Sequence, residues 1–566
     1  MLGPLPPHYL PALSADVAAL PPGPPGALTR SFPCGRDKFW RIRQDEVVKL
    51  QVELKLPATA PRVVLFTDFN AASWQELAFR TADGQHFMLE LNCAHLSPAV
   101  YHFRVKYTLD GQQWFWDRDH FSFLLLDPAG LRDIRMYTLI PTVSGTVRHW
   151  MQELPRIRAM GFNMVHLLPL TEMDTSASPY AARDLFGFDA SYLDPTDPRP
   201  GREQFEDFVE QAKSLGLGLC MDLVFNHVGV HGELASKRPD WLEVDDAEAD
   251  GIRRAGWSDG HTWHKWQDLA LVDYEHPHDL ARTQIWSYLA AYALFWARYA
   301  DYTSGMVRLD NLHSSHPGFT RYLVRRLRAE FPDLLLFGEF FADARQVETV
   351  VLDCRLSLLL GTPWEHHFTP QLREYLQQVH RVAQRVRFML PITSHDSGSP
   401  AQEFGTPKAT VARYAISALF GCGFTGMPQG VEYGVPEQVE FIGRQPRREF
   451  KNGHDYSESI TVLNRLMATH EVFQRGGNLR FVDDGHHAIL GAWRFAPNRH
   501  DNDFILAVNL DIFHRQTLNV NLARHNLDLA GSRLVDELRE GEVNPRDATL
   551  TIELAPCEVR VLKVVR

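Results

Sequence analysis

The chain has 566 residues, of which 45% are hydrophobic and 23% are charged, and its formal net charge is −12. This is the composition of an ordinary globular protein whose core is large enough to need neither disulfides nor structural metals. The acidic balance argues against a nucleic-acid-binding protein, because a phosphate backbone requires a clustered basic surface.

The first 30 residues are rich in proline and alanine. They predict an extended tail, because proline removes backbone donors and favours the polyproline conformation. They lack the basic start and compact apolar core of a secretory signal, and we therefore expect a cytoplasmic protein. No apolar run reaches the ~18 to 20 residues of a membrane helix, which argues against a membrane partner.

Residues 31–127 carry the alternating pattern of β-strands, with runs such as "VVKLQVELKL" and "AVYHFRVKYTL". Asp110-Gly111 separates the second of these runs from "QQWFWD", and this dipeptide is a strong hairpin signal. We predict an N-terminal β-sandwich over this segment.

Residues 128–475 alternate between strand-like and helix-like segments. The strand-like runs are "NMVHLLPL", "LGLCMDLVF", "GMVRLD", "LLLFGEF" and "RFMLPITSHD". One helix is clear in "REQFEDFVEQAKSLG", where the apolar residues share a face and Gly216 supplies the stop. The alternation predicts an α/β fold, a (β/α)₈ TIM barrel with a short insertion after the third strand at about 228–300. A doubly wound sheet would require a Gly-rich phosphate turn, and the sequence has none.

Residues 476–566 return to the strand pattern. The runs "HAILGAWRF" and "DFILAVNL" are joined by "APNRHDN", and "CEVRVLKVV" closes the segment. We predict a second, smaller β-sandwich at the C-terminal side of the barrel.

Polar residues stand at the ends of the predicted barrel strands, where a barrel places its catalytic groups. They are Asp222, Asn226 and His227, then Arg308, Asp310 and His313, then Glu339, then His395 and Asp396. A single aspartate after a strand is usually a turn or helix cap. Several carboxylates at one end of a barrel repel one another, so their joint presence favours a function.

Paired carboxylates are typical of glycoside chemistry, in which one acid attacks the anomeric carbon and the other protonates the leaving group. Arg308 lies two residues before Asp310 on the same strand face, and we expect its charge to keep Asp310 ionised. Glu339 follows the apolar run "LLLFG", where burial would favour the protonated form.

The set and order of these residues resemble the α-amylase family of (β/α)₈ glycosidases and transglycosidases. "SASPYAARDLFGFDASYLDP" is similar to the family's second-strand loop, and "GMPQGVEYG" is similar to the element after its eighth strand. A carbohydrate-binding-like N-terminal module and a C-terminal all-β domain are also common in that family.

The resemblance implies that Asp310 is the nucleophile, Glu339 the general acid/base and Asp396 a residue that binds hydroxyls of the distorted ring. The substrate-binding residues that it implies are Tyr180, Asp222, Asn226, His227, Arg308, His313 and His395. The reaction would retain the α configuration through a glycosyl-enzyme intermediate, with the two carboxyl groups about 5 to 5.5 Å apart.

The residues after the nucleophile separate the branches of the family. Many of its hydrolases have Lys-His there, whereas "DNLHS" from Asp310 resembles the glucanotransferase half of glycogen debranching enzyme and the maltosyltransferases. We therefore predict a 4-α-glucanotransferase or maltosyltransferase acting on α-1,4-linked maltooligosaccharides or α-glucan. Three alternatives stay open: an amylase-like hydrolase, a transferase that uses maltosyl phosphate, and a catalytically silent carbohydrate-binding protein.

The predicted insertion contains Trp257, Trp263 and Trp266, which either stack on sugar rings or fill a core. It has no repeated Asp/Asn/Gly calcium loop, and its histidine spacing fits no zinc site. We therefore predict neither a metal nor a cofactor, and an α-glucan or maltooligosaccharide as the binding partner.

Overall fold

The computed structural model describes residues 15–32, 39–69, 73–118, 121–258, 261–496, 503–529, 531–539, 541–545 and 548–565. The chain forms two compact units, which are considered one at a time. The first comprises Met1–Leu131 with Asp343–Ser357, and the second comprises Arg132–Ala342 with Leu358–Arg566.

The first unit is a β-sandwich. Its first elements are α1 (Ala15–Ala18), β1 (Leu28–Ser31), β2 (Phe39–Arg43), β3 (Val47–Leu54), β4 (Arg62–Thr67), β5 (Gln75–Ala78), β6 (Arg80–Thr81), β7 (His86–Asn92), β8 (Val100–Thr108), β9 (Trp114–Trp116) and β10 (Ser122–Asp127). One sheet has the order β1-β3-β7-β6, and the other has the order β2-β10-β8-β4-β5, with β9 paired to β8. Their apolar faces meet in a core that includes Trp40, Leu50 and Phe103.

The sandwich begins earlier than predicted. β1 pairs antiparallel with β3, so Leu28 to Ser31 belong to a sheet and not to an extended tail. Further upstream, Ala15–Ala18 form the four-residue helix α1. Residues 1–14 lie outside the described part of the chain. The predicted hairpin is confirmed: β8 pairs antiparallel with β9 across Gly111, whose φ is +79°.

The segment Asp343–Ser357 also belongs to the first unit, although it lies within the predicted barrel range of 128–475. Arg41 explains part of this grouping. Its buried guanidinium pairs with Asp127 and donates to the carbonyl oxygens of Leu356 and Ser357, each at 3.1 Å. A buried guanidinium requires such acceptors, and sequence periodicity does not reveal where they come from.

The second unit contains the barrel. Its strands are β11 (Ile134–Leu139), β12 (Met164–Leu167), β13 (Thr171–Met173), β14 (Ala182–Phe188), β15 (Gly218–Leu223), β16 (His227–Gly229), β17 (Arg254–Ser258), β18 (Trp263–Leu271), β19 (Met306–Leu309), β20 (Leu335–Gly338), β21 (Leu358–Leu360), β22 (Phe388–Pro391) and β23 (Phe424–Pro428). Within the described residues, eight parallel strands close a barrel in the order β11-β12-β15-β19-β20-β21-β22-β23. The predicted (β/α)₈ fold is confirmed.

Helices follow the barrel strands. In chain order they are α2 (Pro141–Ser144), α3 (Val147–Ala159), α4 (Gly201–Ser214), α5 (Glu233–Lys237), α6 (Asp279–Tyr302), α7 (Pro317–Glu330), α8 (Ala344–Cys354, in the first unit), α9 (Thr369–Val382), α10 (Pro400–Phe404), α11 (Ala409–Leu419) and α12 (Ser457–Thr469). α4 is the helix that the sequence predicts: Phe205, Phe208 and Val209 are buried, and Gly216 follows with φ +67°. None of the described helices combines the length and apolarity needed to cross a membrane.

The insertion after the third barrel strand forms a small antiparallel sheet of order β16-β18-β17. β16 begins at His227, four residues after β15 ends, so the sheet starts at the carboxyl end of the barrel. The 24-residue helix α6 then leads back to β19.

The C-terminal part of the second unit is a β-sandwich, as predicted. Its strands are β24 (Leu479–Phe481), β25 (Ile489–Arg494), β26 (Phe504–Asn509), β27 (Gln516–Asn521), β28 (Arg533–Asp536), β29 (Glu542–Val543), β30 (Thr549–Leu554) and β31 (Val559–Val565). β25 pairs antiparallel with β26 and β26 with β31. Most of the predicted connection "APNRHDN" lies outside the described residues.

Candidate active site

The carboxyl ends of β15, β19 and β20 lie side by side and bring their polar residues together. The parallel register places Asp222 beside Arg308. The ladder continues past the strand ends, because the Asp310 N–H donates to the Leu223 carbonyl and the Glu339 N–H donates to the Leu309 carbonyl. Three acids from separate segments are thus fixed at one edge by backbone hydrogen bonds.

Arg308 is the centre of this acid cluster. Its side chain is buried, and Nη1 donates to both carboxylate oxygens of Asp222 at 2.9 and 2.7 Å and to Asp310 Oδ1 at 2.8 Å. Its Nη2 lies 2.8 Å from Glu339 Oε2 in an ion pair. One guanidinium therefore holds Asp222, Asp310 and Glu339 around a single point. Sequence analysis predicted the pairing of Arg308 with Asp310 but not the other two.

Asp222 has further donors. The Tyr180 hydroxyl donates to its Oδ2 at 2.9 Å, and His166 Nε2 lies 3.2 Å from the same oxygen. Thr138 Oγ1 is 3.1 Å from the other nitrogen of His166 and orients that ring. Burial alone would raise the pKa of Asp222, but Arg308 and His166 lower it below its usual range. Asp222 is thus a permanent anion that anchors the arginine.

Asp310 and Asp396 have raised pKa values. Burial raises the pKa of Asp310 well above its ordinary value; Arg308 opposes this rise, and Glu339 and Asp222 add to it. Burial also raises the pKa of Asp396 to about 7, although 49% of its side-chain surface is accessible to solvent. Arg308 opposes the rise in the pKa of Asp310, but it also pairs with Asp222 and Glu339, so its charge is shared among three carboxyls. The ionised state expected of Asp310 stays a prediction.

Glu339 lies in more polar surroundings than the preceding apolar run predicts. Besides the pairing with Arg308, its Oε2 accepts the backbone N–H of Asn311 at 2.9 Å. Asn311 has φ +46° and ψ +43°, a left-handed turn that asparagine tolerates and that aims this N–H at the carboxylate. Both of these contacts fall on Oε2.

Tyr180 and His395 form one wall of the site. Their rings are parallel with centroids 5.8 Å apart, and the Tyr180 hydroxyl is 2.6 Å from His395 Nε2. Burial and Arg308 hold the pKa of His395 well below its usual range, so this ring is neutral. Its Nε2 also lies 3.0 Å from Asp396 Oδ2, which connects the fourth acid to the acid cluster.

Asn226 and His227 lie at the start of the insertion, and the His227 ring lies against the backbone of Tyr180. Both are buried, with Asn226 Nδ2 3.5 Å from His227 Nδ1. Burial lowers the pKa of His227 to about 4, so the ring is neutral. Its buried Nε2 has no hydrogen-bond partner among the described residues.

His313 is the predicted site residue that does not join the cluster. It is exposed on the turn Leu312–Ser314, and its ring lies 5.6 Å from that of Phe341. The reason is the left-handed turn at Asn311, which carries the chain away from the acids. Among the described residues, no group of three or more His, Cys, Asp or Glu side chains is arranged to hold a metal.

Sequence reasoning missed His166 and Phe341. His166 is a lone polar residue inside the apolar strand "MVHL", and its neighbours in that strand are all buried. A polar residue in the middle of an apolar strand could have marked His166 as a candidate site residue. Phe341 is 46% exposed two residues after Glu339, and an exposed aromatic beside a candidate acid was the signal for it.

A family model described as the glucanotransferase domain of glycogen debranching enzyme matches residues 129–242. Among curated proteins, α-1,4-glucan:maltose-1-phosphate maltosyltransferases from Arcanobacterium haemolyticum and Rhodospirillum rubrum are each 24% identical to the chain. The first match covers 67% of the chain and 57% of that protein, and the second covers 70% and 59%. The chain thus spans little more than half the length of these relatives.

Solved structures share the fold. A noncanonic maltogenic α-amylase from Thermotoga neapolitana matches with TM-score 0.61 and 16% identity over 77% of the chain and 100% of that structure. An α-amylase from Geobacillus thermoleovorans, complexed with acarbose, matches with TM-score 0.62 and 14% identity over 77% of the chain and 99% of that structure.

Proposed function

We propose a retaining glycosyl-transfer reaction for this chain, whose resemblance to the α-amylase family of glycosidases and transglycosidases is confirmed by the family model and the relatives. The substrates are α-1,4-linked maltooligosaccharides or α-glucan, and the reaction moves a glucosyl or maltosyl unit to another sugar. The observation that carries the proposal is the guanidinium of Arg308, which holds Asp310 and Glu339 together at the carboxyl end of the barrel.

In the first step, a carboxylate oxygen of Asp310 forms a bond to the anomeric carbon while the glycosidic bond breaks. Glu339 gives its proton to the departing oxygen. In the second step, Glu339 takes a proton from the acceptor hydroxyl, whose oxygen displaces Asp310 from the sugar. Two inversions retain the α configuration. Asp310 attacks as the ionised carboxylate, with its Oδ1 held 2.8 Å from Arg308 Nη1.

Transfer is favoured over hydrolysis by the "DNLHS" run and by an aromatic residue on the acceptor side. The acceptor enters where the leaving group left, so residues beside Glu339 contact it. Phe341 is 46% exposed there and packs against His313. An aromatic face beside the acid/base would hold an acceptor sugar in place of water.

Phe341→Ala is expected to lower the ratio of transfer to hydrolysis by roughly tenfold, the effect of losing one stacked ring. Product distributions from maltoheptaose measure this ratio. Phe513→Ala, which removes an aromatic that is 77% exposed on the C-terminal sandwich, is the matched control and should leave the ratio unchanged. An unchanged ratio in Phe341→Ala would remove this residue from the acceptor site.

Glu339→Gln is expected to impair reactions in proportion to the difficulty of the leaving group. We expect a loss on the order of 10² to 10⁴-fold with maltoheptaose, and a much smaller loss in the first step with α-maltosyl fluoride, whose fluoride leaves without a proton. Fluoride release compared with oligosaccharide turnover measures the difference. Equal losses on both donors would contradict the acid role.

A second candidate is a transferase that takes the maltosyl unit from maltose 1-phosphate. The names of the relatives favour it. Incubating the protein with this donor and glycogen, and measuring released phosphate, tests the candidate directly. Phosphate release with chain extension would support it, and an unchanged donor would exclude it.

Incubation with pure maltotriose to maltoheptaose tests the main proposal. Products longer than the donor are expected. Only shorter products would show a hydrolase, and binding without turnover of any donor would show a silent carbohydrate-binding protein. The predictions of a cytoplasmic location and of no nucleic-acid or membrane partner stay predictions.

A further inference from the structure

We propose that the hairpin β17–β18 carries an extended glucan-binding surface, formed by Trp257, His264 and Trp266 and here called the tryptophan platform. It would bind sugar units of a long chain beyond those at the cleavage point. This inference rests on the proposed function, and adds to it a preference for long donors or acceptors.

The platform residues lie on the two strands of the hairpin. Trp257 and His264 are directly paired across the strands, and their rings stack with centroids 4.4 Å apart at 21°. Trp266 follows two residues after His264, at the point where the pairing of β17 with β18 shifts register. Trp257 is 50% exposed and Trp266 is 36% exposed. The hairpin thus presents several aromatic rings to solvent.

The platform reaches the candidate active site through His227. Trp266 lies 6.2 Å, centroid to centroid, from His227, whose ring lies against the backbone of Tyr180. The buried Nε2 of His227 has no hydrogen-bond partner among the described residues. Buried polar atoms are nearly always paired, so this nitrogen indicates a position where a bound hydroxyl completes the structure. A sugar stacked on Trp266 would bring its hydroxyls to this nitrogen.

The chemistry of the surface suits a neutral sugar chain. Indoles exposed on a hairpin are uncommon, since large aromatics usually lie in a core, and clustered exposure marks a binding site. A pyranose offers an apolar C–H face to a ring and keeps its hydroxyls in water. A nucleic acid could also stack on tryptophan, but a chain of net charge −12 repels its phosphates.

Trp263 provides an internal control on the same hairpin. It is 48% exposed, but it points to the opposite face, where its indole packs over Gly256. There it lines a groove of about 560 Å³ together with Arg253 and the predicted site residue Asn226. If glucan binds on the platform, Trp263 should contribute little to glucan binding. If glucan binds in this groove, Trp263 should contribute more than Trp266.

Binding of maltotriose and maltoheptaose by the full chain carrying Asp310→Asn, measured by calorimetry, separates these cases. Trp257→Ala and Trp266→Ala in that background are each expected to weaken maltoheptaose binding about tenfold, with less than a twofold effect on maltotriose. Trp263→Ala should change neither. Melting temperatures check that each variant is folded. We expect all of them to fold, because the substituted side chains are exposed.

Equal maltoheptaose affinity in the parent and both platform variants would overturn the platform while leaving the proposed function intact. A larger loss with Trp263→Ala than with Trp266→Ala would also overturn it, in favour of the groove. A parent that binds neither oligosaccharide would overturn the proposed function itself, and the platform with it.

Discussion

Replacing Asp310 by asparagine is expected to abolish glycosyl transfer, with kcat/KM on maltoheptaose falling on the order of 10⁴-fold or more. An amide cannot form the glycosyl-enzyme bond, yet its oxygen can still accept the hydrogen bond from Arg308 Nη1. The fold should persist, because the variant also removes one of the carboxyls that repel one another around Arg308.

The matched control for this variant is Asp207→Asn. Asp207 lies on α4, has 47% of its side-chain surface exposed and pairs with Arg199. It should retain full activity, and both variants should melt within a few degrees of the parent. An Asp310→Asn protein that still extends maltoheptaose would remove the nucleophile assignment.

Replacing Arg308 by methionine is expected to have the largest effect on stability. It leaves Asp222 and Asp310 buried, and Glu339 partly buried, without that cation, and breaking a buried ion pair in this way costs about 3 to 5 kcal/mol in the free energy of unfolding. The loss should be greater at pH 8 than at pH 5. Without the arginine the native carboxyls bind more protons than the unfolded chain above pH 4, so stability falls as pH rises.

Urea unfolding of the parent and Arg308→Met at pH 5 and pH 8 measures this effect. Arg202→Met is the control, since Arg202 forms an exposed i,i+4 pair with Glu206 and its loss should leave the unfolding midpoint nearly unchanged at either pH. A loss for Arg308→Met that is equal at both pH values would contradict the view that one guanidinium compensates the acid cluster.

The barrel was predictable where its strands are long apolar runs that end in polar residues, as in β15 and β19. Sequence analysis did not identify β21, which has three residues, or β11 and β23, whose runs carry Arg135 or Gly426 and Pro428. Such strands are specified by pairing with neighbours on both sides and not by their own pattern.

The candidate site was predictable in its acids but not in their surroundings. The spacing of Asp222, Arg308, Asp310 and Glu339 relative to strand ends places them together, because parallel strands end at one edge of a barrel. The polar contact between Glu339 and the Asn311 N–H depends on a left-handed turn, which no periodicity reports. The proton affinity of Asp310 depends on several groups that meet only in the folded chain.

The most direct test of the account is the covalent intermediate itself. Glu339→Gln incubated with α-maltosyl fluoride should accumulate a glycosyl-enzyme, because the fluoride leaves unaided while the second step lacks its base. Mass spectrometry of a peptide digest is expected to place one maltosyl group on Asp310. A maltosyl group on any other residue, or fluoride release with inverted maltose as the product, would contradict the account.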